Sequence, residues 1–148
     1  MIEEFMRRAP GIIEFFIPLK DPPTVTHQEK QVTVRNGKPV FYEPPELEAA
    51  RALLTAHLAK FRPSEPLTGA IMLTTKWLYP DRSGRHRDGE YKITKPDTDN
   101  TIKLFKDCMT RVGFWLDDAQ VASETIEKFY SDMPGIWVYA GEIVDEAP

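Results

Sequence analysis

Residues 95–121 read KPDTDNTIKLFKDCMTRVGFWLDDAQV, and this stretch decides the fold. After Pro96, apolar side chains recur every three or four positions, which predicts a helix with one buried face that runs to about Val112. Gly113 follows, at the place where many helices end in a left-handed residue. An antiparallel return of the chain after Gly113 would bring the acidic residues of the following turn level with the start of the helix.

A second helix is predicted earlier in the chain. It begins at Pro44-Pro45, because a missing N–H does no harm in the first turn of a helix. An apolar stripe from Leu47 to Phe61 recurs at helical spacing, and Arg62-Pro63 ends it. Two helices are therefore available to cover a sheet.

The remaining apolar stretches have the composition of strands. Asn36-Gly37 is the dipeptide that two-residue turns favour, so residues 32–34 and 40–42 are predicted to form a hairpin. Residues 67–79 are β-branched and apolar on both faces, as expected of a central strand. Further strands are predicted at residues 11–18, 121–130 and 136–143.

The predicted order is strand, hairpin, helix, strand, helix, strand, strand, which is typical of an α+β fold. We expect a single domain over residues 1–148, with a mixed or antiparallel sheet on which two main helices pack. Loose termini are expected at residues 1–10 and 144–148. The length of 148 residues fits one domain, and 41% hydrophobic with 28% charged residues is an ordinary globular composition.

Composition and charge exclude several classes of protein. No apolar run approaches the roughly 20 residues that span a bilayer, and the acidic start at Glu3-Glu4 does not suit a secretory signal. Cys108 is the single cysteine, so an internal disulfide is excluded, and we expect a cytoplasmic protein with no membrane partner. The net charge of −4 disfavours a nucleic-acid coat protein, but it is compatible with an enzyme that reaches phosphates through metal ions.

Acidic residues stand at both ends of the 96–112 helix. Asp97 and Asp99 flank one residue at its start, and Asp117-Asp118 follows after its end. One interpretation is structural, since aspartate is a favoured N-cap and the helix dipole stabilises acids in the first turn. Asp99 and Lys103 would then form a surface ion pair one turn apart, and the second acidic pair would be a polar turn.

The other interpretation is a magnesium site. Mg²⁺ prefers oxygen ligands and keeps several waters, so three aspartates and a substrate phosphate would suffice without histidine or cysteine. The ion polarises a phosphodiester and lowers the pKa of an attacking water, while a nearby lysine meets the phosphate as a point charge. Because a helix N-terminus favours anions, the grouping suits a bound phosphate better than a bare cation.

Two motifs resemble one known family. The patterns K-P-D-x-D-N-x-x-K at residues 95–103 and G-F-W-x-D-D-x-Q-V at residues 113–121 are similar to those of the RusA family of crossover junction endodeoxyribonucleases, the Holliday junction resolvases. The proline-closed FFIP strand and Tyr42-Glu43-Pro44 also fit, so the resemblance covers roughly residues 12–143. It implies a homodimer that binds a four-way DNA junction and makes symmetric nicks, one per subunit.

The resemblance also implies the roles of individual residues. Asp97, Asp99 and Asp118 match the metal-binding aspartates, for Mg²⁺ with Mn²⁺ as a substitute, and Lys103 matches the essential lysine. Asn100 matches an asparagine that is expected to brace the aspartates.

The loop before the 96–112 helix is rich in basic residues. Residues 81–95 contain five lysines and arginines against three acids. One interpretation is a solvated loop, and the other is a flexible arm that neutralises DNA phosphates and becomes ordered on binding. Such contacts position the nucleic acid and make binding strongly dependent on salt. The candidate side chains are Arg82, Arg85, Arg87, Lys92 and Lys95.

We therefore expect a Mg²⁺-dependent endodeoxyribonuclease that resolves four-way junctions in DNA recombination and repair. Residues 20–28 lack a basic stretch that many relatives carry, so a metal-dependent nuclease acting on other branched DNA is an open alternative. A non-catalytic, structure-specific DNA-binding protein whose aspartates only cap the helix is another. Phe114, Trp115 and Cys108 are expected to be core residues.

Overall fold

The computed structural model describes residues 12–24 and 31–144. The elements in these ranges are β1 (Ile12–Pro18), β2 (Gln31–Arg35), β3 (Lys38–Tyr42), α1 (Pro45–Leu58), β4 (Ile71–Tyr79), α2 (Thr98–Val112), a short 3₁₀ helix (Asp118–Gln120), β5 (Val121–Tyr130) and β6 (Gly135–Glu142). This confirms the predicted order and the α+β class. The loose termini predicted at 1–10 and 144–148 lie, except for Val144, outside the described residues. Neither α1 nor α2 has the length and apolar composition required of a membrane span.

The predicted hairpin is confirmed, and it forms a two-stranded sheet of its own. Asn36 and Gly37 take positive φ values of 51° and 74°, as a two-residue turn between twisted strands requires. The hairpin lies outside the main sheet, so the main sheet does not cover the apolar side chains of the hairpin. Val32 and Val34 remain 52% and 68% exposed.

The main sheet is mixed and has the strand order β1-β6-β4-β5. β6 pairs antiparallel with both β1 and β4, whereas β5 pairs parallel with β4. A parallel pair needs a crossover connection, and here the crossover contains α2. Consequently α2 runs back against the direction of both strands.

The core lies between the two helices and one face of this sheet. Trp77 of β4 packs edge-on against Phe105 of α2, with ring centres 5.2 Å apart. Leu47 and Leu54 of α1 are buried in the same cluster. Burial of a large apolar side chain contributes about 1.5–3 kcal/mol, so these contacts fix α2 on the sheet.

Two predicted element ends differ from the structure by three or more residues. The helix α1 ends at Leu58, and Phe61 instead stacks on Phe15 with ring centres 4.6 Å apart. The strand predicted from Leu67 begins at Ile71. Leu67 pairs with Trp115 in an isolated bridge, which directs this segment toward the turn after α2 rather than into β4.

The core positions predicted around the end of α2 are confirmed. Phe114 and Cys108 are fully buried, and Trp115 is almost fully buried. Burial raises the pKa of the Cys108 thiol to about 11. The reactive thiolate is therefore scarce at neutral pH, and Cys108 fills space in the core.

A buried arginine joins the two helices. Arg51 of α1 is 7% exposed and forms ion pairs with Glu43, before α1, and with Asp107 of α2. Burial alone would lower the pKa of Arg51, but the hydrogen bonds and charges of the two carboxylates outweigh it and the pKa is raised. Arg51 therefore stays charged and holds α1 and α2 together.

We expect Arg51→Met to lower the free energy of unfolding by about 2 kcal/mol, because two carboxylates lose their cation. The cost is below that of a fully buried pair, since both carboxylates are partly exposed. Denaturant unfolding followed by tryptophan fluorescence measures the change. Arg62→Met, at an exposed arginine after α1, serves as the control and should change the free energy by less than about 0.5 kcal/mol. A loss no larger than that of the control would contradict the prediction.

Candidate active site

The start of α2 presents two exposed aspartates. Asp97 is the N-cap residue, with φ −70° and ψ 147°, yet its carboxylate makes no capping hydrogen bond. Its backbone carbonyl instead accepts hydrogen bonds from the N–H and the hydroxyl of Thr101. Asp99 lies in the first turn. Helix capping therefore does not account for the Asp97 carboxylate.

Lys103 lies one turn after Asp99 and is also exposed. Among the described residues, no ion pair or hydrogen bond engages either of these side chains, so the surface pair of the structural interpretation is not formed. Asn100 is half-buried, and within residues 12–24 and 31–144 it makes no hydrogen bond to an aspartate. The bracing expected of Asn100 is therefore not observed.

The two acids after α2 have different environments. The carboxylate of Asp117 accepts a hydrogen bond from the Ala119 N–H, and the side-chain oxygen of Gln120 accepts one from the Asp117 N–H. Asp117 thus caps the 3₁₀ helix. Asp118 is exposed, and its carboxylate has no hydrogen-bond partner in the described part of the chain. Of the pair, Asp117 has a capping role in the fold and Asp118 has none in the described residues.

A cleft of about 450 Å³ lies between α2 and β5. Three of the four predicted catalytic residues line it, namely Asp99, Lys103 and Asp118, whereas Asp97 does not. The complete lining consists of Thr98, Asp99, Ile102, Lys103, Lys106, Asp118, Glu124 and Ile126. The structure therefore brings together acidic and basic side chains from both predicted motifs.

The cleft contains two charged residues that the sequence analysis missed. Lys106 forms an ion pair with Glu124 of β5, with Nζ 3.3 Å from Oε1. Lys106 is three residues after Lys103, so both lie on one face of the helix. This spacing could have identified Lys106 from the sequence. No sequence pattern identifies Glu124. Only its pairing with Leu73 assigns it to the side of the sheet that faces the helices.

The chain that returns along α2 is β5, and the acidic turn precedes this strand. Asp118 comes just before β5 begins at Val121, whereas Lys128, farther along β5, reaches the carbonyl beside Asp97. The strand rises on the order of 20 Å between Val121 and Lys128. Asp118 and Asp99 therefore reach the cleft from different ends of β5, because β5 rather than the acidic turn makes the return along α2.

The carboxylates of the cleft and of the adjoining helix start suit a hard cation. Asp97, Asp99 and Asp118 offer carboxylate oxygens, and Mg²⁺ often needs only one or two protein carboxylates beside substrate phosphates. However, no group of three or more histidine, cysteine or acidic residues within residues 12–24 and 31–144 is arranged to hold a metal ion. The three-aspartate metal site therefore remains a prediction.

The basic loop is fastened along the edge of β5 and is not a free arm. The N–H of Gly89 donates to the carbonyl of Tyr130, and the N–H of Tyr130 donates to the carbonyl of Glu90, both at 2.8 Å. The N–H of Lys92 donates to the carbonyl of Lys128 at 2.9 Å. The segment is therefore not the flexible arm that the sequence suggests. It is a loop that continues the edge of the sheet toward the start of α2.

The basic side chains of this loop fall into two groups. Arg82 forms an ion pair with Asp21. Lys92 donates to the Thr94 hydroxyl and lies over the Tyr130 ring, 4.9 Å from its centre. The other predicted phosphate-binding residues are exposed and have no ion-pair partner among the described residues; they are Arg85, Arg87 and Lys95.

The chain is similar over most of its length to one phage protein and one bacterial protein. It is 27% identical over 135 residues to "Crossover junction endodeoxyribonuclease rusA" of Lactococcus phage r1t, covering 90% of this chain and 89% of the phage protein. It is also 27% identical over 121 residues to "Uncharacterized protein YqaN" of Bacillus subtilis (strain 168), covering 75% of this chain and 84% of that protein.

A family model described as endodeoxyribonuclease RusA matches residues 21–139. The match contains both motifs, the whole cleft and every helix and strand except β1 and the last three residues of β6. This confirms the resemblance inferred from residues 95–121, and the chain belongs to the RusA family of endodeoxyribonucleases.

Proposed function

We propose that this nuclease is Mg²⁺-dependent and resolves four-way DNA junctions by paired symmetric nicks, in DNA recombination and repair. The main support for this proposal is the exposure of three carboxylates, those of Asp97, Asp99 and Asp118. Each carboxylate is exposed, and none forms an ion pair or accepts a hydrogen bond in the described residues. Membership of the RusA family supports nuclease activity, and the name of the phage relative supports the junction as substrate.

Lys103 and Lys106 are suited to hold the DNA backbone. They project into one cleft from successive turns of α2. Lys106 shares its charge with Glu124, whereas Lys103 has no ion-pair partner among the described residues. Lys103 is therefore the better candidate to contact the scissile phosphate and to stabilise the charge that develops on it.

Asp97 and Asp99 are suited to bind the metal at the start of α2. Their carboxylate oxygens are the ligands that Mg²⁺ prefers, and Mn²⁺ is expected to substitute. The bound metal supplies Lewis acidity toward the phosphodiester and lowers the pKa of a water. The partial positive charge at the start of α2 favours the accompanying phosphate, so metal and substrate are expected to bind cooperatively.

A homodimer accounts for the position of Asp118. Within one chain, Asp118 precedes the start of β5, whereas Asp97 and Asp99 lie near the other end of that strand. In the proposed dimer, Asp118 of one copy completes the aspartate pair of the other, and each nicking centre contains residues of both copies. The exposed Val32 and Val34 of the hairpin offer an apolar surface for this association.

We expect Asp118→Asn to lower the rate of junction nicking at least about 100-fold, because a lost metal ligand removes several kcal/mol of transition-state stabilisation. Affinity for the junction should be unchanged or higher, since a negative charge near phosphates is removed. The assay uses a synthetic four-way junction with Mg²⁺. Asp117→Asn is the matched control, and it should keep parental activity because asparagine caps as well as aspartate.

Three results would contradict parts of this proposal. Equal nicking by Asp118→Asn and the parent would exclude Asp118 from the mechanism. Tight junction binding by the parent without any cleavage would exclude catalysis on this substrate. Equal cleavage of flaps and four-way junctions, without paired symmetric nicks, would favour a nuclease that acts on other branched DNA.

The composite site can be tested by mixing two inactive variants. If Asp99→Asn and Asp118→Asn chains form mixed dimers, one of the two centres in each regains all its aspartates, and about a quarter of the centres become intact. We expect single-strand nicks to reappear. Mixing Asp97→Asn with Asp99→Asn is the control and should stay inactive, because both residues come from the same helix start. No recovery in the first mixture would contradict a site shared between copies.

The fixed basic loop should contribute phosphate contacts through its exposed arginines. We expect the double variant Arg85→Gln/Arg87→Gln to reduce the slope of log affinity against log salt concentration by about 2, because two phosphate contacts are lost. Arg82→Gln should have a smaller effect, since Arg82 is paired with Asp21. Junction binding measured over a salt series tests this, and an unchanged slope would identify the loop as merely solvated.

A further inference from the structure

One side chain of the sheet holds the segment that leads into α2. Lys128 of β5 donates hydrogen bonds from Nζ to the carbonyl oxygens of Thr94, at 2.7 Å, and Pro96, at 2.6 Å. Both carbonyls lie within the three residues before Asp97. A single ammonium group therefore fixes the backbone at two points just before the first predicted metal ligand.

We propose that Lys128 is a positioning residue for Asp97, which sets the place of this carboxylate by binding the two carbonyls before it. The inference rests on the proposed function, because it assigns Lys128 to the same metal site. It adds a residue outside both sequence motifs, on a strand that supplies none of the predicted catalytic groups.

The fold explains how Lys128 reaches this segment. Lys128 pairs in register with Trp77, and Trp77 packs against Phe105 of α2, so both side chains lie on the face of the sheet that carries the helices. The lysine is half-buried there. An ammonium group has three N–H donors on a long flexible stem, so it can serve two carbonyl acceptors that point in different directions.

The charges around Lys128 agree with a location beside Asp97. The pKa of Lys128 is lowered, chiefly by burial and also by the charge of Lys92. The charge of Asp97 partly opposes this shift. Because the two carbonyls already occupy two of the three donors, most of the hydrogen-bonding capacity of Lys128 is directed at the protein backbone. Positioning of the helix start is therefore favoured over direct binding of a DNA phosphate.

The test compares Lys128→Met, Lys128→Arg and Lys76→Met. Loss of an outer residue that orients a ligand typically costs 10–100-fold in metal affinity or activity. We expect Lys128→Met to weaken Mn²⁺ binding to the DNA-free protein about tenfold and to raise the half-saturating Mg²⁺ concentration for nicking to a similar extent. Junction affinity should change less than about threefold. Lys128→Arg should recover part of the metal affinity, because a guanidinium also donates to two carbonyls.

Lys76→Met is the matched control. Lys76 is a half-buried lysine of β4 that lies over the Trp137 ring, 5.3 Å from its centre, and it has no part in the proposed site. Mn²⁺ binding is measured by calorimetry, and folding is checked by the midpoint of thermal unfolding. Lys76→Met should leave the metal affinity unchanged.

The outcomes separate the positioning role from other roles. If Lys128→Met weakens junction binding and lowers the salt slope by about 1 without changing metal affinity, Lys128 is a phosphate contact and the inference is overturned. If only the unfolding midpoint falls, its role is structural and the inference is again overturned. A parent protein that neither binds Mn²⁺ nor nicks junctions would contradict the proposed function as well. A parent that does both, with Lys128→Met behaving like Lys76→Met, would contradict only the inference.

Discussion

The parallel pairing of β4 with β5 is the constraint on which the rest of the structure depends. Parallel neighbours require a crossover, and this crossover contains α2, which must therefore run against both strands. The two acidic motifs stand at opposite ends of that helix. Their separation is thus a consequence of topology and does not depend on the local conformation of either turn.

The same topology arranges the charges of the cleft. Carboxylates of Asp99 and Asp118 line it together with Lys103 and Lys106 of α2. In the proposed function, the two lysines attract a DNA phosphate into the cleft, and the carboxylates of its lining then lie close to the bound strand. A divalent cation would relieve the repulsion between carboxylates and phosphates, so in the proposed mechanism the substrate and the metal are expected to promote each other's binding.

Local features of the fold could be predicted from the sequence, whereas long-range pairing could not. The turn at Asn36-Gly37 and the end of α2 at Gly113 follow from the φ angles that these residues adopt at low cost. The separation of Asp118 from Asp99 depends on which strands pair, and helical periodicity contains no information on that point. For the same reason Glu124 and Lys128 were missed, since only the register of β5 against β4 assigns them to the helix-covered face.

The capping geometry indicates why an aspartate stands at position 97. A side-chain cap at this position stabilises a helix by about 1 kcal/mol, and Asp97 forgoes that bond while Asp117 makes the equivalent one at the 3₁₀ helix. The backbone around Asp97 is instead fixed by the hydroxyl of Thr101 and the ammonium of Lys128. Other groups hold the helix start. The backbone of Asp97 is therefore fixed, while its carboxylate makes no capping hydrogen bond. The proposed metal site requires such a preorganised carboxylate, whereas stabilisation of the helix would require the capping hydrogen bond that Asp97 does not make.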